Sequence, residues 1–247
     1  MDAFIAELIG TFLLILLGNG VVANVVLKQT KGENGGWIVI TFGFAMAVFV
    51  AVLCVSEVSG AHINPAVTIG LAVADKFAWN LVPGYIIAQV VGAMLGGATV
   101  FLFYREHYKV SDVPEAKLAT FCTTPNIPNT WNNLFSEIVG TFVLVLAVLC
   151  AAETTVNFGN SLDQKSAKVG LGALGALPVS LVVFAIGLGL GGTTGYGINP
   201  ARDLGPRIAH ALLPVPGKGD SQWHYAWIPV VGPIIGALVA VAVAAML

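Results

Sequence analysis

Two stretches decide how this chain is read: Ser59-Gly60-Ala61-His62-Ile63-Asn64-Pro65-Ala66-Val67-Thr68 and Gly197-Ile198-Asn199-Pro200-Ala201-Arg202. Asn is a favoured N-cap and Pro a favoured first helical residue, so each Asn-Pro opens a helix. One such pair is an ordinary helix start; two in apolar surroundings, 135 residues apart, are a pattern. The first helix can run from Pro65 to about Ala78, roughly 21 Å at 1.5 Å per residue. The second runs toward Leu213. A bilayer core is about 30 Å thick, so both helices enter a membrane without crossing it.

The flanks of the two motifs also recur. Ala6-Glu7-Leu8-Ile9-Gly10-Thr11-Phe12 returns as Ser136-Glu137-Ile138-Val139-Gly140-Thr141-Phe142, and Val91-Gly92-Ala93-Met94-Leu95-Gly96 as Val231-Gly232-Pro233-Ile234-Ile235-Gly236. Runs without charge separate these landmarks: 20 residues between Glu7 and Lys28, 23 between Glu33 and Glu57, 28 between Lys76 and Arg105. A further 33 lie between Lys168 and Arg202, and 27 follow Asp220. With Trp131–Ala152, which tolerates Glu137, six spans are expected: about 4–27, 36–57, 80–104, 131–152, 169–190 and 224–247. The first is too long for a signal peptide's apolar region and lacks a basic start, so it reads as a retained span. Residues 105–130 read as a long extramembrane loop joining repeats 1–104 and 131–247 of a single channel domain, 1–247. Three spans per repeat, an odd number, turn the second repeat upside down relative to the first. The expected fold is therefore an all-α membrane protein with six transmembrane helices, two re-entrant half-helices and a pore between inverted repeats.

Composition agrees. The 247 residues are 57% hydrophobic and 10% charged, with net charge −2 and a mean hydropathy of +0.86. Soluble domains run near 25% charged. A basic nucleic-acid-binding surface, disorder and most cytosolic enzymes are excluded on these numbers. Cys54, Cys122 and Cys150 have no metal-ligand spacing, and no nucleophile–base pair stands out among four histidines. No metal or other cofactor is implied.

Helices that begin near the midplane place positive dipole ends there, which opposes cations. The Asn64 and Asn199 amides can donate to a passing oxygen. The non-helical residues before each helix carry carbonyls without helical partners, so Gly60, Ala61, His62, Ile63, Gly195, Gly197 and Ile198 are candidate pore-lining acceptors. Irregular backbone at membrane depth is tolerated where protein buries it or a water-filled cavity faces it. Arg202, three residues after Asn199 and so on the same helical face, must point to protein or water. The competing reading is a buried ion pair with Asp203. Its counterpart in the first repeat is Val67, which makes the pore asymmetric. Glu7 and Glu137 have two readings: proton coupling, or acceptance of hydrogen bonds from loop N–H groups. His62 borders the first motif and either lines the opposite mouth or is structural.

These motifs resemble those of the major intrinsic proteins, the aquaporin family, over the whole chain. The resemblance implies a homotetramer in the plasma-membrane bilayer, with one pore per subunit. Within the family the chain is similar to glycerol facilitators, on Asp203, Arg207, Pro229-Val230 and Phe101. Counting from the motifs carries the family's selectivity filter onto Phe44, Gly187, Tyr196 and Arg202. Water-selective relatives place a histidine at the Gly187 position, so the glycine is expected to leave room for a carbon backbone. Glycerol facilitators more usually carry Trp and Phe where this chain has Phe44 and Tyr196, a departure that bears on the permeant.

The expectation is a passive channel for glycerol, other small uncharged solutes and water, with undissociated lactic acid and urea as further candidates and with ions and protons excluded. A water-selective channel and a proton-coupled transporter are the rival readings. The implied orientation puts residues 28–35, 105–130 and 191–223, with eight of the eleven Lys and Arg, on the outside. That opposes the positive-inside tendency.

Overall fold

The structure, a computed structural model, describes residues 2–151, 155–158, 165–168 and 172–247. The first repeat contains α1 (Ala3–Val26), α2 (Trp37–Ser59), the short α3 (Pro65–Val73) and α4 (Val82–Phe103). The second contains α7 (Thr130–Cys150), α8 (Leu177–Leu190), the short α9 (Pro200–Leu212) and α10 (Ile228–Ala244). Helices α1, α2 and α7, together with Trp79–Phe103, are long and apolar enough to cross a membrane; Leu174–Leu190 and α10 are shorter apolar helices. The fold is that of six spans and two half-helices.

Several boundaries differ from expectation for local reasons. The first half-helix ends at Val73, not Ala78. Asp75 takes a left-handed φ of 54°, and the Lys76 N–H donates back to the Leu71 carbonyl at 2.9 Å, so the last turn is closed by backbone bonds. The loop expected over 105–130 folds into two further helices, α5 (Arg105–Val110) and α6 (Pro114–Ala119, with Pro in its first turn). The span expected from 169 begins as a 3₁₀ turn, Gly172–Ala176, which leads into α8; residues 169–171 lie outside the described ones. An antiparallel ribbon pairs β1 (Thr155–Phe158) with β2 (Lys165–Lys168), Thr155 opposite Lys168, a small addition to an otherwise helical chain.

The recurring glycines set how close the spans approach. A Cβ on Gly92 would lie 2.2 Å from the Leu8 carbonyl oxygen, and one on Gly236 would lie 2.3 Å from that of Ile138. Hence α1 and α4 press backbone to backbone in one repeat, and α7 and α10 in the other. The repeats interlock as well. Helix α2 packs on α8, α9 lies against α4, and α3 lies against α10. Each half-helix thus rests on the last span of the opposite repeat. The main apolar core, with Ile15, Val55, Val145, Ile186 and Ala237, draws on both halves.

Candidate functional site: a conduit between the repeats

The loops before α3 and α9 are backbone copies of each other. Gly60, Ala61 and Ile63 have φ of 79°, 50° and 43°; Gly195, Tyr196 and Ile198 have 80°, 39° and 41°. A β-branched residue at positive φ is strained, and such strain persists only where surrounding bonds over-determine it. Here the bonds come from the repeated glutamates. Glu7 accepts from Ser59 Oγ at 2.7 Å, from the His62 and Ile63 N–H groups at 2.9 and 2.7 Å, and from Gln89 Nε2 at 2.7 Å. Glu137 accepts from Thr194 Oγ1 and from the Gly197 and Ile198 N–H groups at 2.7, 3.0 and 2.7 Å. Both glutamates are wholly buried. Of their two sequence readings, acceptance from loop N–H groups is the one this geometry supports.

Asn64 and Asn199 cap α3 and α9. The Asn64 Oδ1 accepts from the Ala66 N–H at 2.9 Å; the Asn199 Oδ1 accepts from the N–H groups of Ala201 and Arg202 at 3.0 and 3.2 Å. Pro65 and Pro200 stand in the first turns, and Ala66 and Ala201 are fully buried behind them. Each Asn amide also reaches across the pseudo-twofold: Asn64 Nδ2 donates to the Ile198 carbonyl and Asn199 Nδ2 to the Ile63 carbonyl. The two N-termini therefore meet at one point. Two carbonyls expected to face a permeant, those of Ile63 and Ile198, are engaged here by asparagine.

A cavity of about 190 Å³ passes this point. The loop residues Gly60, Ala61, His62, Ile63, Gly197 and Ile198 line it together with the apolar side chains Leu14, Val48, Val52, Leu144, Val179 and Val183. Val67, the counterpart of Arg202, also lines it. A second, wider cavity of about 480 Å³ is lined by Trp37, Thr123, Thr124, Asn126, Thr194 and Gly195. Phe44, Tyr196 and Arg202 line both, so these three side chains form the constriction between them. Arg202 Cζ sits 4.9 Å from the Phe44 ring centroid. Phe44 and Tyr196 meet edge to face at 5.9 Å.

Gly187 does not open the conduit in the way expected from its size. A Cβ there would meet Thr41 Cγ2 at 2.8 Å and Tyr196 Cζ at 3.1 Å, so the space it leaves is filled by the Thr41 methyl and the edge of the tyrosine ring. Gly187 lines neither cavity; it seats Tyr196 in the wall. The Tyr196 hydroxyl is buried without a partner among the described residues. The competing reading, an ion pair of Arg202 with Asp203, is not what forms. Asp203 pairs with Arg207 at 2.8 Å, both side chains fully buried.

His62 lines the smaller cavity, with Nδ1 3.2 Å from Thr68 Oγ1 and its ring meeting Phe77 edge to face at 4.6 Å and Tyr85 at a tilt at 5.0 Å. Phe101 packs on Tyr108 in a separate core cluster. Outside the spans, burial pushes the Cys122 thiol above its ordinary range, so it faces the wider cavity as a neutral group.

Sequence reading missed Trp37, whose Nε1 donates to the Gly187 carbonyl at 2.9 Å and whose ring meets Tyr196 edge to face at 5.7 Å. It missed Gly18 and Gly191 too, where a Cβ would come 2.4 Å from Phe44 and 2.5 Å from Tyr196. Nothing in sequence distinguishes these glycines from the other 27 of 29. Gln89 carried no signal either, because its counterpart in the second repeat is Pro229.

Residues 1–244 match the major intrinsic protein family model. The chain is 52% identical over 238 residues to a probable glycerol uptake facilitator protein of Thermotoga maritima, covering 96% of each chain. It is 51% identical over 236 residues to the glycerol uptake facilitator protein of Bacillus subtilis, covering 96% of this chain and 81% of that one. The aquaglyceroporin from Plasmodium falciparum superposes with a TM-score of 0.81 at 32% identity, over 97% of this chain and 93% of its own. The interlocked repeats, the crossed asparagines and these relatives lead to one conclusion: the chain is a multi-pass integral membrane protein and belongs to the major intrinsic protein family.

Proposed function

We propose that the protein is a passive channel for glycerol and other small uncharged solutes, with water, that excludes ions and protons. Its family is one of channels rather than enzymes, and the similar proteins of Thermotoga maritima and Bacillus subtilis are described as glycerol uptake facilitators. The observation that carries the reading is the constriction itself. Phe44 and Tyr196 offer an aromatic corner for carbon, while Arg202, lying beside the Phe44 ring, carries hydrogen-bond donors for hydroxyls. A molecule with an apolar backbone and hydroxyls along one edge matches both. The dipoles of α3 and α9 at the crossed asparagines, and the Arg202 charge at the constriction, both oppose a cation.

In this reading residues 1–247 form one channel domain, and repeats 1–104 and 131–247 each contribute a half-pore. The subunit works within a homotetramer, and undissociated lactic acid and urea are further permeants to examine. Stopped-flow light scattering of reconstituted vesicles tests the proposal. Rapid shrinkage followed by glycerol-dependent reswelling, absent from empty vesicles, is the expected result. Rapid shrinkage without accelerated reswelling would make the channel water-selective, and saturable uptake driven by a pH gradient would make it a transporter.

A further inference from the structure

Arg207 is the largest fully buried side chain among the described residues, and the conduit does not use it directly. Its Nε donates to Asp203 Oδ1 at 2.8 Å, and its Nη2 donates to Asp203 Oδ2 at 3.0 Å and to the Thr123 carbonyl at 2.8 Å. Its Nη1 donates to the Ser221 and Gln222 carbonyls at 2.7 and 3.2 Å. Asp203 also accepts from the Thr123 N–H at 2.8 Å and from Thr123 Oγ1 at 2.6 Å. The carboxylate therefore holds four donors. Arg202, the preceding residue, stacks on Phe44 and keeps its Nη1 buried without a partner among the described residues.

Two cations and one carboxylate thus lie within six residues of one half-helix, and which cation holds the carboxylate decides what Arg202 can do. A buried carboxylate without its partner is costly, and the next available cation relieves that cost. Side chains one apart on a helix diverge, so capture would draw Arg202 off the Phe44 ring. Even without contact, a bare carboxylate in this low-dielectric setting would offset the Arg202 charge.

We propose that Arg207 is a specificity-determining positioning residue that acts through Asp203: by saturating this carboxylate it leaves the Arg202 charge and donors free at the constriction. The inference rests on the glycerol-channel reading. Arg207→Gln removes the charge and keeps an amide donor. It is expected to lower the glycerol-to-water permeability ratio in vesicles about tenfold, the size of one charge-assisted hydrogen bond, and to raise cation leak. Adding Asp203→Asn removes the carboxylate that would capture Arg202, so the double variant returns the ratio to within about twofold of the parent.

A purely structural role for the pair predicts the opposite, a double variant as impaired as the single one. That result, or an unchanged ratio in Arg207→Gln, overturns the proposal. If Arg207→Gln does not assemble, Thr123→Val makes the same test by freeing one lone pair of Asp203. Its ratio is expected to fall about twofold and to recover when Asp203→Asn is added; an unchanged ratio overturns the proposal there too. Absence of glycerol flux through the parent protein overturns both this inference and the channel reading, whereas parental flux with indifferent variants overturns this inference alone.

Discussion

Asn64 and Asn199 each donate a side-chain amide to the carbonyl that immediately precedes the other, at 2.9 and 2.8 Å. The two half-helices are thereby tied N-terminus to N-terminus by side chains that also cap them. Capping and cross-linking are inseparable at these positions, and this sets the expected cost of losing either residue.

Asn64→Ala is expected to destabilise the protein by about 2 kcal/mol, summing a lost cap and an unsatisfied carbonyl. Asn199→Ala should cost more, because Asn199 Oδ1 serves two N–H groups where Asn64 Oδ1 serves one. Thermal unfolding of the purified protein in detergent orders the two.

Glu7→Gln and Glu137→Gln test the loop-bracing role. Each neutral side chain keeps a single acceptor oxygen and presents an NH₂ to donors, so each variant should lose about 2 kcal/mol or more. Glu7→Gln should lose more, since Glu7 holds four donors and Glu137 three. Folded protein of either variant should still conduct without coupling to a proton gradient. Uptake by the parent that follows a pH gradient and is uncoupled by Glu137→Gln would instead establish a proton site.

Gly191→Ala places a methyl 2.5 Å from Tyr196 Cδ1, 2.6 Å from the Gly187 carbonyl oxygen and 2.7 Å from Trp37. The rings cannot both stay, and Tyr196 has the conduit to move into. Glycerol permeability is expected to fall at least about tenfold, since a misfit of this kind costs about 1–3 kcal/mol. Water permeability should fall less. Paired shrinkage and reswelling measurements separate the two rates.

Gly92→Val and Gly236→Val drive a side chain into the backbone of the neighbouring span, where the new Cβ would stand 2.2 and 2.3 Å from a carbonyl oxygen. Neither backbone contact can yield as a side chain would, so each variant should fail to reach the folded state in the membrane. Size-exclusion profiles after solubilisation would show aggregation in place of a defined peak.

Legibility in sequence differed between elements. The half-helices were readable because Asn-Pro is a local instruction, a cap followed by a residue with fixed φ. The spans were readable because lipid forbids charge over some 20 residues. The glycines that recur at 92, 96, 232 and 236 were visible in sequence, but that they bring α1 against α4 and α7 against α10 was not. By contrast, the first half-helix stopped early because Asp75 turned left-handed, a choice that apolar content does not encode. Helices α5 and α6 were hidden because six-residue helices carry too little periodicity to separate from loop.

At the site the boundary falls between residue identity and residue pairing. Sequence alone determined that two loops, two asparagines, two glutamates and one unmatched arginine belong to a single constellation, because a repeat written twice exposes its own exceptions. Tertiary structure alone decided which groups each of them meets. Asp203 has Arg202 beside it and Arg207 four residues on, and only helix geometry gives the ion pair to the second. Gly187 reads as empty space, yet Thr41 of another helix and the ring of Tyr196, nine residues away, occupy it. The reason is physical: caps and apolar runs act within a few residues of chain, whereas the partner of a buried charge and the occupant of a vacated volume are settled by whatever other segments bring within about 4 Å.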